Sequence, residues 1–360
     1  MRFGFVGLGR AARVFHLPAL KRLEGVTIVG GTDFASEQRA SWERESGSPS
    51  FEGFDELLAG GRPDAVIVAT PPDSHADICV RALEAGLHVY CEKPFVYTVE
   101  EADRVIAAAA AAGRWVAVNH EFREKPIFKA ITETIQSGDE GRLVFCQIWQ
   151  LMELAPWDEP TAWRAAMANR TLLEGGVHLV DLMLTFFGTA PEAVYARSSS
   201  GFHDDPDADP IHLVTLEFPD GRLGQITIDR LYRGGTKYVE VRADCERASL
   251  RASLGGRAVV QMGKKRGEST GLRLDLGSGG LAWVERGLKR KNIARNSREA
   301  GVDATAKLLE SFVVAVREDR EPPSSAREAR DLIGVIEAAY RSGETGQRVE
   351  LDDILATRSV

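Results

Sequence analysis

The sequence predicts a doubly wound α/β domain followed by an α+β domain built on a large, mainly antiparallel open sheet. Three observations carry this reading. Residues 2–119 alternate short apolar runs with helix-like stretches. After about residue 140, strand-like segments follow one another with few helices between them. The length of 360 residues fits two domains at roughly 150 residues each. The expected division is 1–122 and 123–360, with the last helices free to pack back on the first domain.

In the first domain the apolar runs lie at 3–6, 26–29, 65–69, 87–91 and 115–118. They are apolar on both faces, as in parallel strands covered by helices on each side. Thr98-Val99-Glu100-Glu101 is a capping box, and the Ala-rich helix it opens stops at Gly113. Another helix over roughly 74 to 85 stops at Gly86. In the second domain, strand-like segments lie near 142–152, 192–200, 211–218, 222–230, 237–244 and 247–254. Phe218-Pro219-Asp220-Gly221-Arg222 is a hairpin turn. A helix over about 174–187 interrupts the strands. Residues 263–300 carry Lys264-Lys265-Arg266, Gly277-Ser278-Gly279-Gly280 and Lys289-Arg290-Lys291. They read as a solvated, mobile excursion, with an oligomer arm or anionic-ligand patch as the other readings. Two helices close the chain, from 302 to about 318 and, capped by Ser325 and Glu328, on to about 342.

Composition narrows the function classes. Apolar residues make up 44% and charged residues 27%, an ordinary globular balance that excludes wholesale disorder. Lys plus Arg number 45 against 53 for Asp plus Glu, a net charge of −8. That argues against a general nucleic-acid binder. No run reaches the ~18 apolar residues of a membrane span. The N-terminal Met1-Arg2-Phe3-Gly4-Phe5-Val6 lacks the features of a signal peptide. Cys79, Cys91, Cys146 and Cys245 form no Cys-x-x-Cys pair, so reduced thiols in cytoplasm are expected.

Gly7-Leu8-Gly9-Arg10-Ala11-Ala12 follows the first strand and opens a helix, giving G-x-G-x-x-A. Gly7 permits the tight turn, Gly9 lets backbone approach a pyrophosphate, and Ala12 allows close helix–sheet packing. Asp33, at the end of the second strand, suits the adenosine ribose hydroxyls and repels a 2′-phosphate. Phe34 follows where a phosphate-binding Arg would signal NADP. NAD is therefore expected over NADP, with Arg10 and Arg39 keeping the latter open. Thr70-Pro71-Pro72 makes a rigid turn after the strand ending at 69. His75 follows at a helix start, as a structural or cofactor-edge residue.

Glu92-Lys93-Pro94 follows the strand at 87–91, which places Lys93 at the same ligand edge. The usual fate of Lys is a surface position. In a cleft its ammonium could instead exchange the hydroxyl proton of a substrate alcohol. Glu174, His178 and Asp181 stand at i, i+4 and i+7 and share one helix face, after the permissive Gly175-Gly176. Nothing else in the chain completes a metal set around them.

These motifs together resemble the glucose–fructose oxidoreductase / inositol dehydrogenase / rhizopine-catabolism (Gfo/Idh/MocA) family. The resemblance rests on G-x-G-x-x-A, Asp33, Thr70-Pro71, Glu92-Lys93-Pro94 and Gly176-Val177-His178-x-x-Asp181, and runs on to Tyr340-Arg341-Ser342-Gly343-Glu344-Thr345-Gly346. It implies a Rossmann domain joined to a sheet that covers the nicotinamide and often mediates oligomerisation, as a homodimer or homotetramer. It implies Lys93 and His178 as catalytic residues, with Glu174 where members commonly carry Asp. Glu92 and Arg164 are implied at the cofactor. Lys93, Glu121, Arg123, Trp163, His178 and Asp181 are implied at the substrate. Glu121 stands where many members have Asn, and either binds sugar hydroxyls or pairs with Arg123. Trp149, Trp157 and Tyr232 read as packing or sugar-stacking residues, His16 as structural, and His120 as a possible cleft residue by its place after a strand. The implied activity is NAD-dependent oxidation or reduction of a secondary alcohol on a sugar, sugar acid or cyclitol. A redox-neutral sugar enzyme using NAD transiently and a non-catalytic dinucleotide sensor are the alternatives.

Overall fold

A computed structural model describes residues 1–153, 171–199, 209–233, 237–255, 257–258, 276–277 and 279–356. Six strands, β1 (Arg2–Val6), β2 (Thr27–Thr32), β3 (Ser50–Phe51), β4 (Ala65–Val68), β5 (His88–Cys91) and β6 (Val116–Val118), form a sheet in the order β3-β2-β1-β4-β5-β6. Every pairing in it is parallel. The two-residue edge strand β3 has no apolar run long enough to read from sequence. Helices α2 (Ser36–Ser46), α4 (His75–Glu84) and α5 (Val99–Ala112) lie among the crossovers, with α1 (Leu17–Leu20) and the single turn α3 (Phe54–Glu56). The predicted capping box is present: Thr98 Oγ1 accepts from the Glu101 N–H, and the Glu101 carboxylate accepts from the Thr98 N–H. Gly113 ends α5 in the left-handed conformation that glycine adopts without a Cβ clash.

After α6 (Pro126–Ser137), a nine-stranded sheet is built from β7 (Leu143–Leu151), β8 (Ala193–Ser199), β9 (Ile211–Phe218), β10 (Arg222–Asp229), β11 (Lys237–Cys245), β12 (Ser249–Leu254), β15 (Leu281–Arg286), β16 (Lys289–Arg295) and β17 (Val349–Glu350). The short pair β13 (Arg257–Ala258) and β14 (Leu276–Gly277) stands apart. The order is β16-β15-β12-β11-β7-β10-β9-β8-β17, and β7 with β10 is its one parallel pair. Cys146, Ile148, Leu216, Ile226, Val241, Leu250 and Ala282 point to the helix-covered side and are buried. The alternate residues Val144, Tyr195, Leu213 and Leu223 are exposed on the other face. The period of two thus separates a covered face from an open one.

The excursion expected over 263–300 is corrected in part. Residues 281–295 form the β15–β16 hairpin, whose Ala282 and Val284 are buried against the sheet. Residues 263–275 and Ser278 lie outside the described residues. The helix predicted from 174 begins earlier, as a wide π turn over Thr171–Gly176, and continues as α7 (Val177–Phe187). Helix α8 (Ala300–Arg317) returns to the first sheet, where Leu308, Leu309 and Phe312 join Phe3, Phe5 and Tyr90 in one core. Helix α9 (Ala326–Thr345) packs on α5, α7 and β8, and α10 (Leu351–Leu355) follows β17. Among the described residues no helix is long and apolar enough to cross a membrane.

Candidate active site

The carboxyl ends of the parallel strands meet at a crevice. In the order 3-2-1-4-5-6 the winding reverses between β1 and β4, where open α/β sheets bind ligands. A cleft of about 1130 Å³ lies there. Of the residues predicted for the nucleotide, Gly7, Gly9, Arg10, Ala11, Asp33, Phe34, Thr70, Pro71, Glu92 and Lys93 line it.

The two motif glycines have different reasons to be glycine. Gly7 has φ +88°, and a Cβ there would lie 2.7 Å from the Ala69 carbonyl group and the Thr70 nitrogen. A Cβ at Gly9 would meet no protein atom within 4 Å. The chain's own packing therefore does not require Gly9 to be bare, and the open space fits backbone approach by a pyrophosphate. Asp33 accepts from the Leu8 N–H at 2.8 Å and from the Ala35 N–H at 2.9 Å, one bond per carboxylate oxygen. Each oxygen keeps acceptor capacity for ribose hydroxyls. Phe34 stands at the lip, 99% exposed. Arg39 donates to the Asp33 and Phe34 carbonyls at 2.7 and 3.1 Å. The set fits a dinucleotide.

Three predicted cofactor residues sit elsewhere. The Leu8 and Ala12 side chains are fully buried in the core around β1, so only their backbone could face a ligand. His75 is fully buried and does not line the cleft. Its Nδ1 lies 3.0 Å from the Pro94 carbonyl oxygen and its Nε2 2.9 Å from that of Thr70. It ties the Thr70 turn to the loop after Lys93, and burial lowers its pKa despite those carbonyls. Arg164, Trp163 and Trp157 lie outside the described residues.

In the cleft wall, Glu92 is held on both oxygens. Its Oε1 contacts His16 Nε2 at 2.6 Å and accepts from Asn119 Nδ2 at 2.9 Å, while Oε2 accepts the Lys93 N–H at 3.0 Å. Burial would raise its pKa, but His16, Asn119 and the charge of Lys93 outweigh it and hold the carboxyl at about 2. Tyr90 donates to the Asn119 carbonyl from the core side. His16 and Asn119 are missing from the sequence prediction of the site. The signal for His16 was its place on the first helix after the glycine motif.

Lys93 reaches from the first sheet to the second half of the chain. Its Nζ donates to the Glu174 carbonyl at 3.2 Å, in the π turn that precedes α7. Lys93, Glu121 and Glu174 all line the cleft. His178 lies one turn further along α7, 4% exposed, and is not part of that cleft wall. Its ring stacks on Phe122, with centroids 3.9 Å apart and planes 11° apart. Burial, then the charges of Lys93 and Lys125, push its pKa well down. His178 is thus a neutral imidazole within the field of Lys93. His120 is buried as well, and among the described residues neither of its ring nitrogens has a hydrogen-bond partner.

Of the two readings of Glu121, the pair with Arg123 is not formed. Arg123 clamps both oxygens of Asp181, with Nε at 3.2 Å, and reaches Glu328 at 2.6 Å. Asp181 is 1% exposed and each of its oxygens accepts from Arg123, so this pair fastens α7 to the loop after β6. Glu121 pairs instead with Lys125, at 3.5 Å and four residues on. That spacing was the available signal for Lys125, which sequence reasoning passed over. Arg230, at the end of β10, was also missed. A Cβ on Gly175 would run into its guanidinium, so a larger residue there would require the Arg230 side chain to move. Trp149 is on β7 and half-buried; Tyr232, outside any strand after β10, is also half-buried.

Comparison with known proteins agrees with this geometry. Residues 1–120 match the model of an oxidoreductase family with an NAD-binding Rossmann fold, and residues 128–251 match the GFO/IDH/MocA C-terminal domain. A 1,5-anhydro-D-fructose reductase of Ensifer adhaerens is 28% identical over 229 residues, covering 62% of this chain and 68% of the relative. A D-apiose dehydrogenase of Paraburkholderia graminis is 23% identical over 351 residues, 95% of this chain and 87% of its own. An Agrobacterium radiobacter oxidoreductase, solved with NAD⁺, L-tartaric acid and magnesium, superposes with a TM-score of 0.82 at 16% identity, covering 99% of each chain. An aldose-aldose oxidoreductase of Caulobacter crescentus, solved with glycerol, superposes at 0.79 with 20% identity, over 97% of this chain and 99% of that one. With both family domains matched in order, the chain belongs to the Gfo/Idh/MocA family of NAD-binding oxidoreductases.

Proposed function

We propose that this protein is an NAD-dependent oxidoreductase that interconverts a secondary alcohol and its ketone on a sugar, sugar acid or cyclitol. The observation that carries the reading is the position of Lys93. Its amine stands 3.2 Å from the Glu174 carbonyl, in the wall of the same cleft that Gly9 and Asp33 line. NAD, when bound, supplies the hydride acceptor or donor. Gly7 and Gly9 would hold its pyrophosphate and Asp33 its adenosine ribose. Lys93 Nζ exchanges the proton of the substrate oxygen, and the Glu174 carbonyl aims the amine. His178 stays neutral beside it, as the group that completes the proton path. The names of the Ensifer and Paraburkholderia relatives, a sugar reductase and a sugar dehydrogenase, support the substrate class.

NAD is preferred to NADP in this reading because Asp33 and Glu52 present carboxylates where a 2′-phosphate would stand, while Arg39 is committed to backbone carbonyls. The test is a screen of sugars, sugar acids and cyclitols with NAD and NADP in parallel, repeated on Lys93→Ala. Loss of a general acid–base group should lower kcat about 10²- to 10⁴-fold with the Kd for NAD nearly unchanged. Full turnover by that variant would remove Lys93 from the chemistry. Product formed on catalytic cofactor without net NADH would assign a redox-neutral reaction, and tight NAD binding with no turnover would assign a sensor.

A further inference from the structure

Four side chains next to Lys93 form a continuous column. Glu121 lines the cleft, and its carboxylate lies 3.5 Å from Lys125 Nζ. The same Nζ sits 3.4 Å from the centroid of Phe122. His178 stacks on Phe122 at 3.9 Å. An ammonium and a near-parallel imidazole this close to one ring centroid cannot share a face, so Phe122 is held between them. Lys125 is 9% exposed and does not line the cleft. A buried ammonium needs compensation. Here it has the Glu121 carboxylate on one side and the negative face of an aromatic ring on the other.

We propose that Lys125 is a positioning residue for this site, fixing Glu121 in the cleft wall as an acceptor for substrate hydroxyls and fixing His178 through the Phe122 ring. This rests on the polyol reading above. It deepens that reading by giving the hydroxyls away from the reacting carbon a partner. Glu121 is acceptor-only when ionised, and Lys93 is donor-only as an ammonium, so the two select a substrate whose hydroxyls must donate as well as accept. Burial raises the Glu121 pKa, and Lys125 is the first of the charges that oppose this; Lys93 acts with it and Glu92 against it. His178 faces Lys93, Lys125 and His120, all of which disfavour its protonation. Tyr238, packed edge-on to Phe122, closes the column on the sheet side.

The test uses Lys125→Met, Lys125→Arg, Glu121→Gln and the Met–Gln double variant of the full chain. Losing one hydrogen bond to a charged group should raise KM for the best polyol about 10- to 100-fold in Lys125→Met, with a smaller change in kcat. Arg should restore most of that loss. The effects of Lys125→Met and Glu121→Gln should fall well short of additive, because each removes the same pair. A second readout needs no substrate. In NMR of the histidine rings, His178 should begin to protonate at higher pH in Lys125→Met than in wild type, and at wild-type pH in Lys125→Arg. A Met variant with wild-type KM and unshifted His178 would overturn the proposal while leaving Lys93 in its role. Additive effects of the two single variants would also overturn it. If wild type turns over no polyol, the functional reading fails, and the histidine titration still decides whether Lys125 controls His178.

Discussion

Gly7 and Gly9 belong to one motif and should fail in different ways. At Gly7 a methyl group would strike backbone at 2.7 Å, and the residue has a φ that L side chains avoid. Gly7→Ala is predicted to cost roughly 1–3 kcal/mol or more, read as a lowered urea midpoint. At Gly9 a side chain meets open space. Gly9→Val should change stability by no more than about 0.5 kcal/mol, yet weaken NAD at least tenfold in a calorimetric titration. Unchanged NAD affinity would mean that the pyrophosphate does not lie against Gly9. Asp33→Asn removes the charge and keeps an acceptor for only one of the Leu8 and Ala35 N–H groups, because its amide nitrogen cannot accept. The predicted result is a rise of about tenfold or more in NADP affinity relative to NAD, within the ~1.5–3 kcal/mol of a charged hydrogen bond. These residues were legible because their roles are local: a turn after a strand and an acid at a strand end. Arg123 and Asp181 were not, because their pairing joins positions 58 residues apart.

At the scale of elements, the helix that carries Glu174 and His178 depends on anchors distant in sequence. Tyr340, in α9, accepts from the Leu172 N–H at 3.1 Å and donates to Asp209 at 2.9 Å. Asp209 also accepts from the Thr171 N–H at 3.1 Å and contacts His212 at 3.0 Å. Together they satisfy two backbone N–H groups of the π turn, which have no partner within a helix start. Tyr340→Phe is predicted to destabilise the fold by about 1–3 kcal/mol, since it strands the Leu172 N–H and one Asp209 lone pair. It should also lower kcat more than it weakens NAD, because the loosened turn holds the carbonyl that aims Lys93. A variant with unaltered kcat would show that the turn needs no such anchor. The strands of both sheets were readable because apolar residues repeat at period two or run unbroken. The parallel pairing of β7 with β10 was not, since side-chain alternation is the same in either direction. The β15–β16 hairpin was hidden by the charges of Lys289, Arg290 and Lys291, which lie on an edge strand exposed to water, where charge is favoured.

The whole molecule carries an acid sensitivity written in its histidines. Burial lowers the pKa of His75, His120 and His178, and burial with the charge of Arg114 lowers His88 to about 4. In the unfolded chain all four titrate near 6.5. Below that pH the unfolded state binds more protons than the folded one, so stability must fall as pH falls, by up to about 1.4 kcal/mol per pH unit for each histidine. Glu92, held at about 2, adds a loss that begins as pH falls into the ordinary carboxylate range and is complete only below about 2. Glu121, Asp331 and Glu337 work the other way, since burial raises them. Asp331 and Glu337 are only partly buried, whereas three of the histidines are enclosed, so the histidines set the sign. The predicted outcome is a urea midpoint that drops steadily from pH 7 to pH 5, and a flat or rising midpoint would contradict it. His88 allows the origin to be checked at one residue. Its Nδ1 accepts the Trp115 N–H at 3.1 Å, a bond that exists only while that nitrogen is unprotonated. His88→Gln keeps an acceptor there and removes the titration, so the stability of this variant should depend on pH with close to one proton less slope between pH 6.5 and 4. An unchanged slope would mean that His88 protonates as readily in the folded chain as in the unfolded one.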